Sequence, residues 1–334
     1  MLRKPGKPNY KVPKVYRPIA LLSTMAKVLT GIVAEDMSRL VEKHQLLPNT
    51  HFRGRPGRTT TDAIHHLIGK IKGAWRKGSV VSILFLDIEG AFPNAVTDRL
   101  IHNLRRRRIP EQYVRFIKQL LTGRRTKLKF DNFILELIEI LGQGDPLSMI
   151  LYILYNADLL DITGDEEKED ALGYVDDAAL VAIGVDFEET TGGLQWSRDH
   201  NSNFEISKSV VMHVSKKTQP DPQREDKRIP LDRPELIVEG KTYREVSSFK
   251  YLGVRIDNKL GWTEQAQASN TSTTKWIMQF KCLTRLSTRV SSKLMRQLYL
   301  SVAILKLTYG ADIWFTPPHT SRQEQPTTLD QWEY

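Results

Sequence analysis

Two carboxylates stand side by side in GYVDDAALVAI, residues 173–183, where Asp176 and Asp177 lie between two apolar runs. Apolar residues on both sides of a short polar turn predict a β-hairpin with the acids at its tip. A third acid comes from upstream. Residues 80–88, VVSILFLDI, are almost continuously apolar, of strand length and rich in β-branched side chains. That run predicts a buried central strand that delivers Asp87 at its end. A strand ending in Asp beside a hairpin tipped with Asp-Asp is what two-metal phosphoryl transfer requires. Two Mg²⁺ ions about 3.5–4 Å apart need shared carboxylates from separate strands. Asp-Asp in a turn is usually only a solvated turn, so the weight of this reading comes from the surrounding chain.

The totals narrow the partners. The chain has 334 residues and a formal net charge of +10, which favours a polyanion, nucleic acid before an anionic membrane. The length suggests about two domains. A single cysteine, Cys282, rules out an internal disulfide framework and a zinc knuckle. No apolar run reaches the ~18 residues of a membrane span. The basic, Pro-rich N-terminus lacks the apolar core of a secretory signal.

Several elements must position the acids. Residues 1–17, with four prolines or glycines and interleaved lysines and tyrosines, predict an extended hairpin. Leu29, Ile32, Val33, Met37, Leu40 and Val41 mark one face of a helix. HFRGRPGR, residues 51–58, is a loop carrying Arg53, Arg55 and Arg58. Thr60 or Thr61 is expected to cap the helix that follows, from about Asp62 to Gly78. About fifteen helical residues are expected from Thr97. Residues 105–129 hold ten basic side chains, starting with four consecutive arginines, and read as a nucleic-acid backbone track. Residues 130–141 predict a strand. Asp145-Pro146 opens a helix, apolar on nearly every face, whose Gly-rich start offers backbone N–H groups to a phosphate or base pair. Residues 187–200 predict a further helix, and 216–234 a polar loop. Residues 247–257 predict a strand pair with a Gly hinge, and 262–315 a separate helical unit.

The ordered blocks YRPIALLSTMAKVLTGIVAEDM, HFRGRPGRTTTDAI, FLDIEGAF, LGQGDPLSMILY, GYVDD, NFEISKS and FKYLGV resemble those of reverse transcriptases. The chain looks most like those of non-LTR (LINE-type) retrotransposons, with DIEGAFPNAV and YGADIW pointing to the fungal Tad-like group. The resemblance implies an α+β right-hand fold. Fingers would occupy about 1–80, palm about 80–258 and a helical thumb 259–316, with a polar tail at 317–334. It implies an RNA-directed DNA polymerase that extends a primer 3′-hydroxyl with dNTPs on an RNA template; the residues themselves fix no compartment, and the resemblance points to an intracellular one, the nucleus before an organelle.

Residue by residue, it implies catalytic roles for Asp87, Asp176, Asp177 and Lys208, and places two Mg²⁺ ions (Mn²⁺ as a substitute) at Asp87, Ile88, Asp176 and Asp177. Lys4 and Arg17 would grip the triphosphate, Phe92 would exclude a ribose 2′-hydroxyl, and Gln143 and Gly144 would line the nucleotide pocket. Tyr251, Leu252 and Gly253 would form the primer grip. Two positions depart from the family pattern: Pro93, where Asp is common after Ala-Phe, and Asp145, where Ser follows Gln-Gly. Asp145 either places a negative charge near the nucleotide or caps the helix. Neither an endonuclease nor an RNase H block is present, so the resemblance implies a fragment. The alternatives are a catalytically inactive nucleic-acid-binding remnant and an RNA-dependent RNA polymerase.

Overall fold

In the computed structural model of the protein, the apolar run before Asp87 is the middle strand of a five-stranded mixed sheet. The structure describes residues 2–315 apart from 5, 7, 8, 13, 14, 18, 20, 88–94, 124, 131–132, 139–143, 162–166, 196–207, 222–223, 239 and 284–289. For Arg17, Asp87 and residues 125–130, 133–138, 193, 195, 225, 226, 238, 241 and 283 it describes the backbone alone.

The chain opens with the antiparallel pair β1 (Leu2–Arg3) and β2 (Tyr16–Arg17). The Lys4 amide donates to the Val15 carbonyl (2.8 Å), and the Arg3 guanidinium lies 5.6 Å from the Tyr10 ring centre. Helix α1 (Thr24–Lys43) is capped by the Ser23 hydroxyl. Helix α2 (Thr60–Arg76) is capped by Thr59, not by Thr60 or Thr61. Of three consecutive threonines, only Thr59 has an acid three residues on, and Asp62 returns the hydrogen bond to the Thr59 amide in a capping box. Strand β3 (Val80–Asp87) follows. The single helix expected from Thr97 is two, α3 (Thr97–Arg106) and α4 (Glu111–Leu121). Arg108 adopts a left-handed φ of 59° and Pro110 has no amide hydrogen to continue the ladder.

The strand expected at 130–141 is a hairpin, β4 (Arg125–Phe130) with β5 (Phe133–Ile138), inside the stretch read as a basic track. Helix α5 (Pro146–Asn156) then leads to β6 (Glu169–Tyr174), β7 (Asp177–Gly184) and α6 (Phe187–Gln195). Strand β8 (Val210–Val214) precedes a correction. The loop expected at 216–234 contains an antiparallel hairpin, β9 (Thr218–Asp221) with β10 (Arg224–Pro230), whose polar strands carry no apolar alternation to announce it. The remaining strands are β11 (Ile237–Val238), β12 (Lys241–Thr242), β13 (Arg244–Glu245), β14 (Ser248–Tyr251) and β15 (Val254–Asp257).

The sheet order is β13-β8-β3-β7-β6, antiparallel except for β13 against β8. One face packs Leu84, Leu86, Leu180 and Val211 with Leu194 of α6. Ser82 on that face is buried, and its hydroxyl bonds Thr190 Oγ1 (2.6 Å) and His213 Nδ1 (2.7 Å), so the two buried hydroxyls are partnered. A second core joins α1, α3, α4 and α5 through Met37, Val41, Leu100, Leu104, Ile117 and Leu151. Each such side chain contributes about 1.5–3 kcal/mol when fully buried.

Residues 1–260 form one compact unit and 261–334 another. The second holds α7 (Thr263–Leu283), α8 (Ser292–Leu298), a π-helical turn over Tyr299–Ile304, α9 (Leu305–Leu307) and α10 (Ala311–Trp314). Among its described residues, Phe280, Ala303 and Ile313 are the buried apolar ones. No described helix is long and apolar enough to cross a membrane.

Candidate active site

Register places the acids. Strand β3 pairs with β7 without a break from Val80↔Gly184 to Asp87↔Asp177, and β6 pairs with β7 up to Tyr174↔Asp177. Asp87, Asp177 and Tyr174 therefore occupy directly opposed positions on three adjacent strands, which share one sheet face. Val175 and Asp176 form the turn. Val175 has a φ of 67°, costly for a β-branched residue at about 1–3 kcal/mol. Its side chain is buried against Tyr152 of α5, with Met149 and Tyr155 beside them, and this packing offsets the strain. Asp176 and Asp177 are both exposed. Burial, then the negative charge of Asp176, raises the pKa of the Tyr152 hydroxyl. Burial and the charge of Asp177 do the same for Tyr251.

A cavity of about 220 Å³ adjoins Asp177, lined by Phe85, Leu86, Asp177, Ala178, Lys208, Phe249 and Tyr251. Strands β14 and β15 reach it through aromatic packing. Phe249 stacks on Phe85 at 4.5 Å between ring centres, and Tyr251 lies 5.2 Å from the same ring. The turn between β14 and β15 uses left-handed backbone at Leu252 (φ 47°) and Gly253 (φ 92°). The structure thus brings together Asp177, Lys208 and Tyr251. Lys4, in the β1–β2 hairpin, and Gly144 do not line this cavity. Ile88, Phe92 and Gln143 lie outside the described residues, as do the side chains of Asp87 and Arg17.

Among the described residues no three acidic, His or Cys side chains gather closely enough to hold a metal ion, a statement that leaves out the Asp87 side chain. The donor chemistry nonetheless fits a hard divalent cation: two exposed carboxylates on one turn, and a third Asp at the register position facing them. Asp145 is the N-cap of α5. Its buried carboxylate accepts from the Leu147 amide at 3.1 Å, so capping accounts for the departure noted in the sequence.

The arginine run is corrected. Arg105 pairs with Glu111 and Arg106 with Asp158, while Arg107 pairs with Asp158 and Asp161 and donates to the Leu46 carbonyl. Three of the ten basic side chains read as a track are thus paired with acids inside the fold, and Arg107 is nearly buried.

The sequence shows the loop at 51–58 but not its role. Its strands of contact are specific: the Phe52 amide donates to the Gly173 carbonyl and the Gly173 amide to the Thr50 carbonyl, both at 3.0 Å. Gly54, at φ 76°, is pressed against α5, and a Cβ there would meet Ile153 at 2.4 Å. Arg55 is buried and binds Glu42 through two nitrogens (2.7 and 2.9 Å) and the Pro48 carbonyl (2.7 Å). The signal available was the alternation of Arg with Gly and Pro, which does not say which Arg turns inward.

His51 in this loop is fully buried, and burial followed by the charge of Arg55 pushes its pKa down to about 4. The unfolded chain takes up this proton near pH 6.5 and the folded protein does not. Stability contributed by neutral His51 is therefore present above about pH 6.5 and lost as pH falls toward 4, by about 3 kcal/mol if the full shift is expressed. Urea unfolding midpoints measured from pH 7 to pH 4.5 should drop steeply, and His51→Leu should flatten that slope. An unchanged slope in the variant would assign the acid sensitivity elsewhere.

Comparison with known proteins adds a family. Residues 2–256 match the family model described as "Reverse transcriptase (RNA-dependent DNA polymerase)". Over 94% of its length the chain is 26% identical to the probable RNA-directed DNA polymerase from transposon BS of Drosophila melanogaster, covering 35% of that protein. It is 22% identical to the RNA-directed DNA polymerase from mobile element jockey of the same species, again over 94% of this chain and 34% of that one. The chain thus spans about a third of the length of the curated relatives it matches. Among solved structures, telomerase from Candida Tropicalis in complex with a fragment of telomeric RNA matches 86% of this chain and 51% of its own, at 9% identity and a TM-score of 0.47.

Proposed function

The chain belongs to the reverse transcriptase family, and from that premise we propose that it is an RNA-directed DNA polymerase of a LINE-type element, extending a primer 3′-hydroxyl with dNTPs. The observation that carries this reading is the register Asp87↔Asp177 beside the exposed Asp176, in a chain of that family. The five-stranded sheet is the palm in this reading, residues 1–80 the fingers and 259–316 the thumb. The motifs DIEGAFPNAV and YGADIW support the Tad-like group within the LINE type.

The family uses divalent metal ions, and two Mg²⁺ held by Asp87, Asp176, Asp177 and the Ile88 position would acidify the primer hydroxyl and neutralise the triphosphate. The protein's own residues do the rest. Lys4 and Arg17 hold the triphosphate, and Gln143 and Gly144 shape the pocket around the base pair. Tyr251, Leu252 and Gly253 hold the primer so that its 3′-oxygen meets the α-phosphorus in line with the departing pyrophosphate. Lys208, which lines the same cavity as Tyr251, gives that pyrophosphate a proton.

A primer annealed to an RNA template, incubated with dNTPs and Mg²⁺, tests the proposal. The expected result is RNA-templated DNA. A folded protein that binds the hybrid but makes no product would be the inactive remnant, and extension with rNTPs alone would make it an RNA polymerase. Phe92 gives a finer prediction. A ring under the sugar excludes a 2′-hydroxyl, so Phe92→Ala should raise rNTP incorporation relative to dNTP by more than about tenfold, the scale of one hydrophobic-pocket contact. Unchanged sugar selectivity would remove Phe92 from that role.

A further inference from the structure

Of the three arginines on the 49–58 loop, two are committed inside the fold and one is not. Arg55 is bound to Glu42, and Arg58 donates to the Asn49 carbonyl while lying over the Phe52 ring. Arg53 is exposed, and its guanidinium lies 5.3 Å from the centre of the Tyr174 ring. No carboxylate among the described residues pairs with it, unlike Arg105, Arg106 and Arg107. A guanidinium resting on an aromatic face keeps its N–H edge available for planar, bidentate hydrogen bonds to an oxyanion.

The loop is built to hold Arg53 in place. Two backbone hydrogen bonds tie it to Gly173, the residue before Tyr174. Gly54, the residue after Arg53, sits against α5 where no side chain fits. Tyr174 in turn stands opposite Asp177, which stands opposite Asp87. Arg53 is therefore a fixed positive charge on the sheet face and at the strand end that carry the acids.

We propose that Arg53 is a binding residue for a phosphodiester of the nucleic-acid strand that lies across the acid hairpin, with Tyr174 as its platform. This inference rests on the polymerase reading and adds to it a strand contact from the 49–58 loop. A cluster of carboxylates repels a polyanion, so a strand that approaches it needs a cation held at short range. Arg53 supplies that cation with no carboxylate among the described residues to displace.

The test measures binding of a labelled RNA–DNA primer–template hybrid to the full chain by fluorescence anisotropy across a salt series, without metal or dNTP. Wild-type protein, Arg53→Ala and Arg53→Lys are compared, with thermal midpoints to verify folding. Arg53→Ala is expected to bind several-fold more weakly at low salt and to lower the slope of log affinity against log salt by about 0.7–0.9, the loss of one phosphate contact. Arg53→Lys, which keeps the charge, should restore most of the slope. Wild-type binding with an unchanged slope in Arg53→Ala would overturn the inference and leave the polymerase reading intact. A raised KM for dNTP in the extension assay with an unchanged hybrid slope would also overturn it, because the anion would then be the triphosphate. No hybrid binding by wild-type protein would overturn both readings together.

Discussion

Asp176→Asn should retain the fold and lose primer extension by well over ~100-fold, more than the usual effect of altering a group that only supports a metal ligand. The substitution is isosteric. It replaces a carboxylate with a neutral amide at an exposed turn position, so stability should move by no more than about 0.5 kcal/mol. What it removes is charge from the donor set that a hard divalent cation needs. Asp87→Asn should behave alike, because Asp87 ends the central strand in register with Asp177. The double variant should be little worse than either single one, since residues that act as a unit are not additive. Extension at wild-type rates by Asp176→Asn would remove this hairpin from the chemistry.

Arg55→Ala should be strongly destabilising. The guanidinium is 5% exposed and its partner Glu42 30% exposed, so the pair is largely shielded from water. Its hydrogen bond is also the main cause holding the Glu42 carboxyl below its ordinary pKa. Truncation strands the Glu42 carboxylate and removes one of the two donors to the Pro48 carbonyl, leaving the His51 amide. Breaking a buried pair from one side costs about 3–5 kcal/mol, or roughly 10 °C in the thermal midpoint of a domain of this size. Arg55→Met combined with Glu42→Leu should recover much of the loss, because no charge is then left unpaired. A thermal melt of Arg55→Ala within 2 or so degrees of wild type (~0.5 kcal/mol) would show that the loop does not depend on this pair. The consequence for function is direct, since the same loop presents Arg53 to Tyr174.

Where side-chain period and strand length speak, the sequence is readable. The apolar run before Asp87 and the two apolar runs around Asp176 and Asp177 have the period of buried strands, and the hairpin is a turn of two residues. The register that aligns Asp87 with Asp177 was not readable, because it depends on which strands neighbour each other. Charge pairing was misread for the same reason. Arg105, Arg106 and Arg107 look like a polyanion track in one dimension, yet Asp158 and Asp161 meet two of them across some fifty positions of chain. Arg53 and Arg55 have the same residue type two positions apart, and only the fold separates the buried strut from the exposed cation. The β9–β10 hairpin looks like a loop in the sequence because polar strands with no buried face leave no periodic trace. Asp145 remained ambiguous until its carboxylate was seen against the Leu147 amide.

For polymerisation, Asp87 and the Asp176–Asp177 turn must act on the same divalent ions. Fe²⁺ can take the place of Mg²⁺ in an oxygen-ligand site, and with ascorbate and peroxide it cuts the backbone nearest to it. Cleavage sites mapped by mass spectrometry should fall in two segments, one around residue 87 and one around residues 174–178. Both should be suppressed by excess Mg²⁺ and both lost in Asp176→Asn. Cleavage beside only one of the two segments, or a pattern that Asp176→Asn leaves intact, would contradict a shared metal site.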